Sequence, residues 1–113
     1  MKMLAKTRAA YIYGKGCGYF IKRKYKKAIE FIEKSHELDP ESINNSWHTY
    51  SVLGRSYMAL GDVEKAKRLI KKAIEMFGED VQDNQKDFDK SEYKFTLMAY
   101  DILENKINTD DSV

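Results

Sequence analysis

Apolar positions recur along this chain at the spacing of an amphipathic helix, and they do so twice in the same order. In residues 25–40, Ala28, Ile32, Ser35 and Leu38 follow one another at three- and four-residue steps; in residues 63–78, Ala66, Ile70, Ala73 and Met76 do the same. A period near 3.6 places each set on one stripe of a helix. The small residues Ala28 and Ala66 stand at equivalent places, where a second helix can approach closely. Lys, Glu, Ala, Ile and Leu are abundant and Pro40 is the only proline, so long stretches are free to be helical. The pattern predicts an all-α fold with an internal repeat.

Upstream of the second copy stands Trp47-His48-Thr49-Tyr50-Ser51-Val52-Leu53-Gly54-Arg55-Ser56-Tyr57-Met58-Ala59-Leu60-Gly61-Asp62. Leu53-Gly54, Tyr57, Gly61-Asp62, Ala66 and Ala73 resemble the tetratricopeptide repeat, with its L-G-x-x-Y core, glycine-containing turn and spaced alanines. The residue chemistry agrees with that resemblance. Gly54 lets the paired helix reach its backbone, Tyr57 wedges between helices, Gly61 permits a tight turn and Asp62 caps the next helix.

The first copy is degenerate in its leading helix. Gly16 and Tyr19 hold the places of Gly54 and Tyr57, but Lys15 replaces the leucine and Lys22-Arg23-Lys24 replaces the glycine-aspartate turn. Ala28 and Ala66 are 38 residues apart, about one helical turn more than the family period of 34. Asp39 as N-cap with Pro40 at the first helical position would start the next helix one turn early and absorb the difference.

Beyond Gly78, which can close the preceding helix, residues 79–90 are polar and acidic with only Val81 and Phe88 apolar, and read as a loop. Asp89-Lys90-Ser91-Glu92 has the spacing of a capping box, after which Phe95, Met98, Ala99, Ile102, Leu103 and Ile107 form an apolar stripe. This resembles a third leading helix, whose stripe is expected to lie buried against the second helix pair and cap the stack. The architecture expected is an α-solenoid of two helix pairs plus a C-terminal capping helix in one domain, residues 1–107. Repeat 1 covers about 9–40, repeat 2 about 41–78, the loop 79–90 and the cap about 91–107, with 108–113 a disordered tail.

Length and composition narrow the function. At 113 residues the chain suits a single core, and 34% charged residues with no apolar run near the roughly 20 needed for a bilayer exclude a membrane span. The basic start lacks the apolar stretch of a secretory signal, so a cytoplasmic address is expected. Cys17 is the only cysteine, and with just His36 and His48 beside it no spaced set of metal ligands exists; no metal or cofactor is expected. The net charge of +2 hides an asymmetry: residues 1–78 carry 16 Lys/Arg against 8 Asp/Glu, residues 79–113 carry 4 against 10.

Candidate chemistry is sparse. Gly14-Lys15-Gly16-Cys17-Gly18 lacks the spacing of a phosphate-binding loop and follows no strand; three glycines in one helix point instead to close packing and a soft first helix. Cys17 as a nucleophile wants a histidine and an orienting group, and His48 has no third member. Glu30, Glu33 and Glu37 interleave with Lys26, Lys27 and Lys34 as an exposed ion-paired face. The chain is expected not to be an enzyme.

Two surfaces remain. The basic cluster Lys22-Arg23-Lys24-Tyr25-Lys26-Lys27, with Lys65, Lys67, Arg68, Lys71 and Lys72 on the equivalent helix, would suit a nucleic acid or an acidic protein on the convex side. The family resemblance implies instead that leading helices line a concave groove holding a partner peptide or protein. Its positions fall on Tyr13, Cys17 and Phe20, then His48, Ser51, Arg55 and Met58, with Tyr93 and Tyr100 added by the cap. Relatives that grip terminal carboxylates use lysines and asparagines where this chain has Tyr13, Cys17 and Val52, which argues against that mode. Arg55 is expected to be free for a ligand, so that its removal spares stability. The function expected is protein binding through the groove, as an adaptor, chaperone or inhibitor of the immunity type. The alternative is a nucleic-acid-associated factor using the basic face. Either suits a monomer or a homodimer.

Overall fold

A computed structural model describes residues 2–41, 46–80 and 87–109. Five helices follow one another: α1 (Lys2–Ile21), α2 (Tyr25–Leu38), α3 (Trp47–Ala59), α4 (Val63–Asp80) and α5 (Asp87–Thr109). The expected all-α helical repeat is what forms. α1 lies along α2 and α3 along α4 as two antiparallel pairs, and α5 packs on α4. The result is an elongated slab, 55 × 34 × 21 Å.

The two pairs are built alike to the level of single atoms. Ala28, Ile32 and Ser35 on α2 are fully buried, as are Ala66, Ile70 and Ala73 on α4. Opposite them sit Gly16 and Gly54. A Cβ added at Gly16 would stand 2.6 Å from Ile32 Cγ1 and 3.3 Å from the Ala28 carbonyl; at Gly54 the equivalent distances to Ile70 and Ala66 are 2.5 and 3.2 Å. No side chain fits there, so glycine sets the separation of each pair. Gly14 and Gly18 differ, since an added Cβ would meet nothing within 4 Å. Close packing therefore explains one glycine of the three in α1.

The turns also correspond. The Lys24 amide donates to the Tyr19 carbonyl (2.8 Å) and the Asp62 amide to the Tyr57 carbonyl (3.0 Å), the six-to-one bond that closes a helix with a left-handed residue. That residue is Gly61 (φ +90°) in the second turn and Arg23 (φ +63°) in the first. Asp62 Oδ1 accepts from the Lys65 amide (3.3 Å), the expected N-cap of α4. Lys24 makes no side-chain cap for α2.

Four details differ from the pattern reading. Asp39 ends α2 as its C-cap and starts no helix; α3 begins at Trp47 after Ser46, so the additional residues lie in the connection. α4 runs through Gly78 to Asp80, and α5 begins at Asp87, ahead of the supposed capping box and within the supposed loop. Val81 lies outside the described residues, as do the side chains of Phe88, Asp89 and Ile107. The last difference is the phase of α5. Its buried face is Thr96, Ala99 and Leu103, while Phe95, Met98 and Ile102 are 49–51% exposed. Hydrophobicity alone merges the two faces into one stripe, whereas the core of α4 accepts the face with the smaller residues.

Two clusters form the interior. Ile29, Ile32, Val52 and Leu53 join α2 to α3, and Ala66, Ile70, Ala99 and Leu103 join α4 to α5; Tyr57 packs against both. An aromatic trio closes one end, with Trp47 edge-on to Phe77 (4.9 Å) and Tyr93 stacked on Phe77 (3.6 Å, 8°).

Candidate functional site: the leading-helix face

α3 comes close to both α1 and α5, whereas the backbones of α2 and α4 stay apart among the described residues. The leading helices thus form the inner, tighter arc of the stack and the trailing helices its outer arc. Side chains on the inner arc meet across helices. The Tyr13 hydroxyl and His48 Nδ1 share a hydrogen bond of 2.9 Å, and Thr49 donates to Tyr13 (3.4 Å). Thr96 donates to the Glu92 carbonyl (2.8 Å), which leaves Ser51 to donate to Thr96 at 2.6 Å in a fully buried pair.

Arg55 is the centre of this face. Its Nη1 lies 3.0 Å from Glu92 Oε2, both side chains about one-fifth exposed, and its guanidinium carbon lies 4.9 Å from the Phe20 ring centroid and 5.8 Å from that of Phe95. One side chain on α3 therefore touches α1 and α5 at once. This corrects the expectation of a free guanidinium, because an exposed position on an isolated helix becomes a three-helix junction once α1 and α5 flank it.

The nine residues implied by the resemblance divide accordingly. Tyr13, Cys17, Phe20, His48, Arg55 and Met58 are partly exposed on or beside the inner arc. Ser51 is fully buried. Tyr93 and Tyr100 face α4 instead: Tyr93 stacks on Phe77, and Tyr100 packs with Ala66 and Ile70 and hydrogen-bonds Glu104. Both follow from the phase of α5, which turns Glu92 and Phe95 toward Arg55. The pattern reading also omitted Ile21, 79% exposed, and Ala59. They stand four residues after Cys17 and Arg55, on the same helix faces, and that spacing was the available signal.

Two titratable groups at this face, Tyr13 and Cys17, are both shifted toward their neutral forms. Burial pushes the Cys17 thiol above its ordinary value, and the Glu92 carboxylate adds to the shift, although the Tyr13 hydroxyl within hydrogen-bonding reach opposes it. Burial, with Cys17 next to it, likewise raises the Tyr13 hydroxyl. A thiol held in its neutral form is a poor nucleophile. Among the described residues no group of three or more His, Cys, Asp or Glu is placed to hold a metal ion, and no helix is long and apolar enough to cross a membrane.

The outer arc carries Lys26, Lys27 and Lys34 on α2 and Lys65, Lys67, Lys71 and Lys72 on α4. Several lie against the protein's own groups: Lys65 over the Tyr57 ring (4.5 Å), Lys72 over Tyr50 (4.4 Å), Lys27 over Tyr19 (5.4 Å) and Lys67 3.3 Å from Glu104. The Glu104 carboxyl is held below its usual range by Tyr100 and Lys67.

The family model of the tetratricopeptide repeat matches residues 9–42 and 48–80, which are α3 and α4 with their turn and most of α1 and α2. The chain belongs to the tetratricopeptide repeat family. The two matches fall on the two helix pairs whose glycine–isoleucine contacts coincide, and α5 lies outside both. Neither the curated proteins nor the solved structures include a match to the chain. Tetratricopeptide repeats generally mediate contacts between proteins.

Proposed function

We propose that this tetratricopeptide repeat protein binds another protein through its leading-helix face, acting by occupancy and not by catalysis. The observation that carries the reading is Ile21, 79% exposed beside the partly exposed Cys17 and Phe20 on the inner arc. Phe95 lies on the far side of the Arg55 junction from Phe20. Apolar and aromatic groups around an arginine are the composition favoured at protein interfaces. The ligand these groups suit is a peptide or helix with apolar side chains. An adaptor, chaperone or inhibitor would each use such a face.

Affinity capture from the protein's own cells, repeated with Ile21→Glu combined with Ala59→Glu, tests this. Both positions are exposed, so the fold should persist and capture should fall at least about tenfold, as for a hot spot. Undiminished capture by the folded double variant would end the groove reading. The nucleic-acid alternative has less support, because Lys27, Lys65, Lys67 and Lys72 lie against the protein's own rings and carboxylates.

A further inference from the structure

α5 presents a second apolar face that nothing described covers. Phe95 is 49% exposed, Met98 50% and Ile102 51%. With Ser91 and Asn105 they lie at alternating four- and three-residue steps, which is the spacing of a seam between two helices. This seam lies about a quarter-turn around the helix from Thr96, Ala99 and Leu103, which α4 already covers. It is therefore additional to the contact that holds α5 in place.

The polar residues beside the seam identify its occupant. On the solvent edge stand Lys94 and Asp101, both exposed and seven residues apart, so they share one edge of the helix. On the other edge stand Glu92, bonded to Arg55, and buried Ala99. A parallel pair of α5 helices would set the solvent edge of one against the inner edge of the other, which is already occupied. An antiparallel pair sets solvent edge against solvent edge, and then Lys94 of each copy meets Asp101 of the other. The seam is self-complementary in the same register: Phe95 faces Ile102 of the other copy, and the two Met98 side chains flank a two-fold axis between residues 98 and 99.

We propose that a second copy of this chain docks on this face, forming a symmetric dimer through antiparallel α5 helices. Three apolar side chains per copy make a short seam, so the contact belongs with small, transient interfaces and dissociates on the order of micromolar concentrations or above. The dimer brings the Ile102 end of each seam close to the Arg55 junction of the other copy. Phe95 borders both this seam and the face of the proposed function, but neither Ile21 nor Ala59 takes part in the seam, so variants at those two positions and at Met98, Lys94 and Asp101 test the two readings separately.

Analytical ultracentrifugation of the full chain, from low micromolar to near-millimolar, tests the pairing. A concentration-dependent monomer–dimer equilibrium is expected. Met98→Glu, which sets two carboxylates on the axis, should abolish it while circular dichroism shows an unchanged helix content. Lys94→Asp alone and Asp101→Lys alone should each weaken the dimer at least about tenfold, since like charges then face each other. The double exchange Lys94→Asp with Asp101→Lys should restore it, which only the antiparallel two-fold arrangement predicts. A chain monomeric throughout, a dimer indifferent to Met98→Glu, or a double exchange that fails to restore pairing would each overturn the proposal. If the wild type is monomeric and Met98→Glu reduces capture of a different protein, the face belongs to that protein and the proposal is wrong. Loss of capture in the Ile21, Ala59 variant with the dimer intact would support it and show that the two surfaces are separate.

Discussion

Gly16 and Gly54 mark the points where paired helices come closest, and the same residue type at Gly14 and Gly18 marks nothing of the kind. Alanine at Gly16 or Gly54 drives a methyl group into Ile32 or Ile70 and against helix backbone, a cost of about 1–3 kcal/mol. Alanine at Gly14 or Gly18 enters open space and should stabilise α1 by about 0.5–1 kcal/mol each. Urea denaturation of the four variants should thus split them by sign. Arg23→Gly should also stabilise, because Arg23 holds the left-handed conformation that Gly61 supplies in the second turn. Gly54 was legible from its motif and Gly16 from its place 38 residues earlier. The emptiness around Gly14 and Gly18 was not, because spacing gives the face of a helix and not what stands opposite it. Cys17 offers a test of the electrostatics. Its raised thiol lowers the thiolate fraction at any pH below the shifted value. Alkylation should be slower at pH 8 than for an unfolded cysteine, and the rise in rate with pH should come later. Alkylation as fast as in urea would show that burial does not control the thiol.

At the scale of the element, α2 and α4 were readable because each carries a single apolar stripe, which meets both of its neighbours. α5 was not, because it carries two apolar faces and hydropathy does not rank them. The face that wins includes Thr96, whose hydroxyl pairs with Ser51 on α3, a partner 45 residues away. Local pattern cannot reveal such a pair. The connection after α2 failed for a related reason: Asp39-Pro40 is a good helix start, yet the stripe of α3 begins at Trp47, where Phe77 and Tyr93 provide its packing. The Ser51–Thr96 pair makes its own prediction. Ser51→Ala or Thr96→Val alone removes one hydroxyl of a fully buried pair, and each should cost about 1–3 kcal/mol. With both replaced, the loss should be well below the sum, since the Ser51 donor is then no longer stranded. A double-mutant cycle by chemical denaturation measures this, and strict additivity would mean the two hydroxyls are satisfied independently.

Across the whole molecule the leading helices are tied together largely through α3, and Arg55 is the tie that reaches both neighbours. Its guanidinium stacks near Phe20 of α1 and Phe95 of α5 and pairs with Glu92 of α5. α5 otherwise rests on α4 through Ala99, Leu103 and the stack of Tyr93 on Phe77, on α3 through Thr96 with Ser51 and Tyr93 with Trp47, and on Lys67 through Glu104. Removing the guanidinium deletes a partly buried ion pair and two ring contacts, worth together about 1–2 kcal/mol once solvent screening is allowed for. That loss should not spread evenly. The α1–α2 pair keeps its Gly16–Ile32 packing, and the α3–α4 pair keeps Gly54–Ile70, whereas α5 loses its connection to the centre of the inner arc. Hydrogen exchange on Arg55→Ala should therefore show faster exchange in α5 and little change in α2 or α4. Arg55→Lys should restore only part of the protection, because an ammonium keeps the charge but lacks the planar, many-donor guanidinium that reaches a carboxylate and two rings at once. Uniformly faster exchange would mean that Arg55 supports the global fold; unchanged exchange in α5 would mean that its remaining contacts with α3 and α4 hold the cap without Arg55.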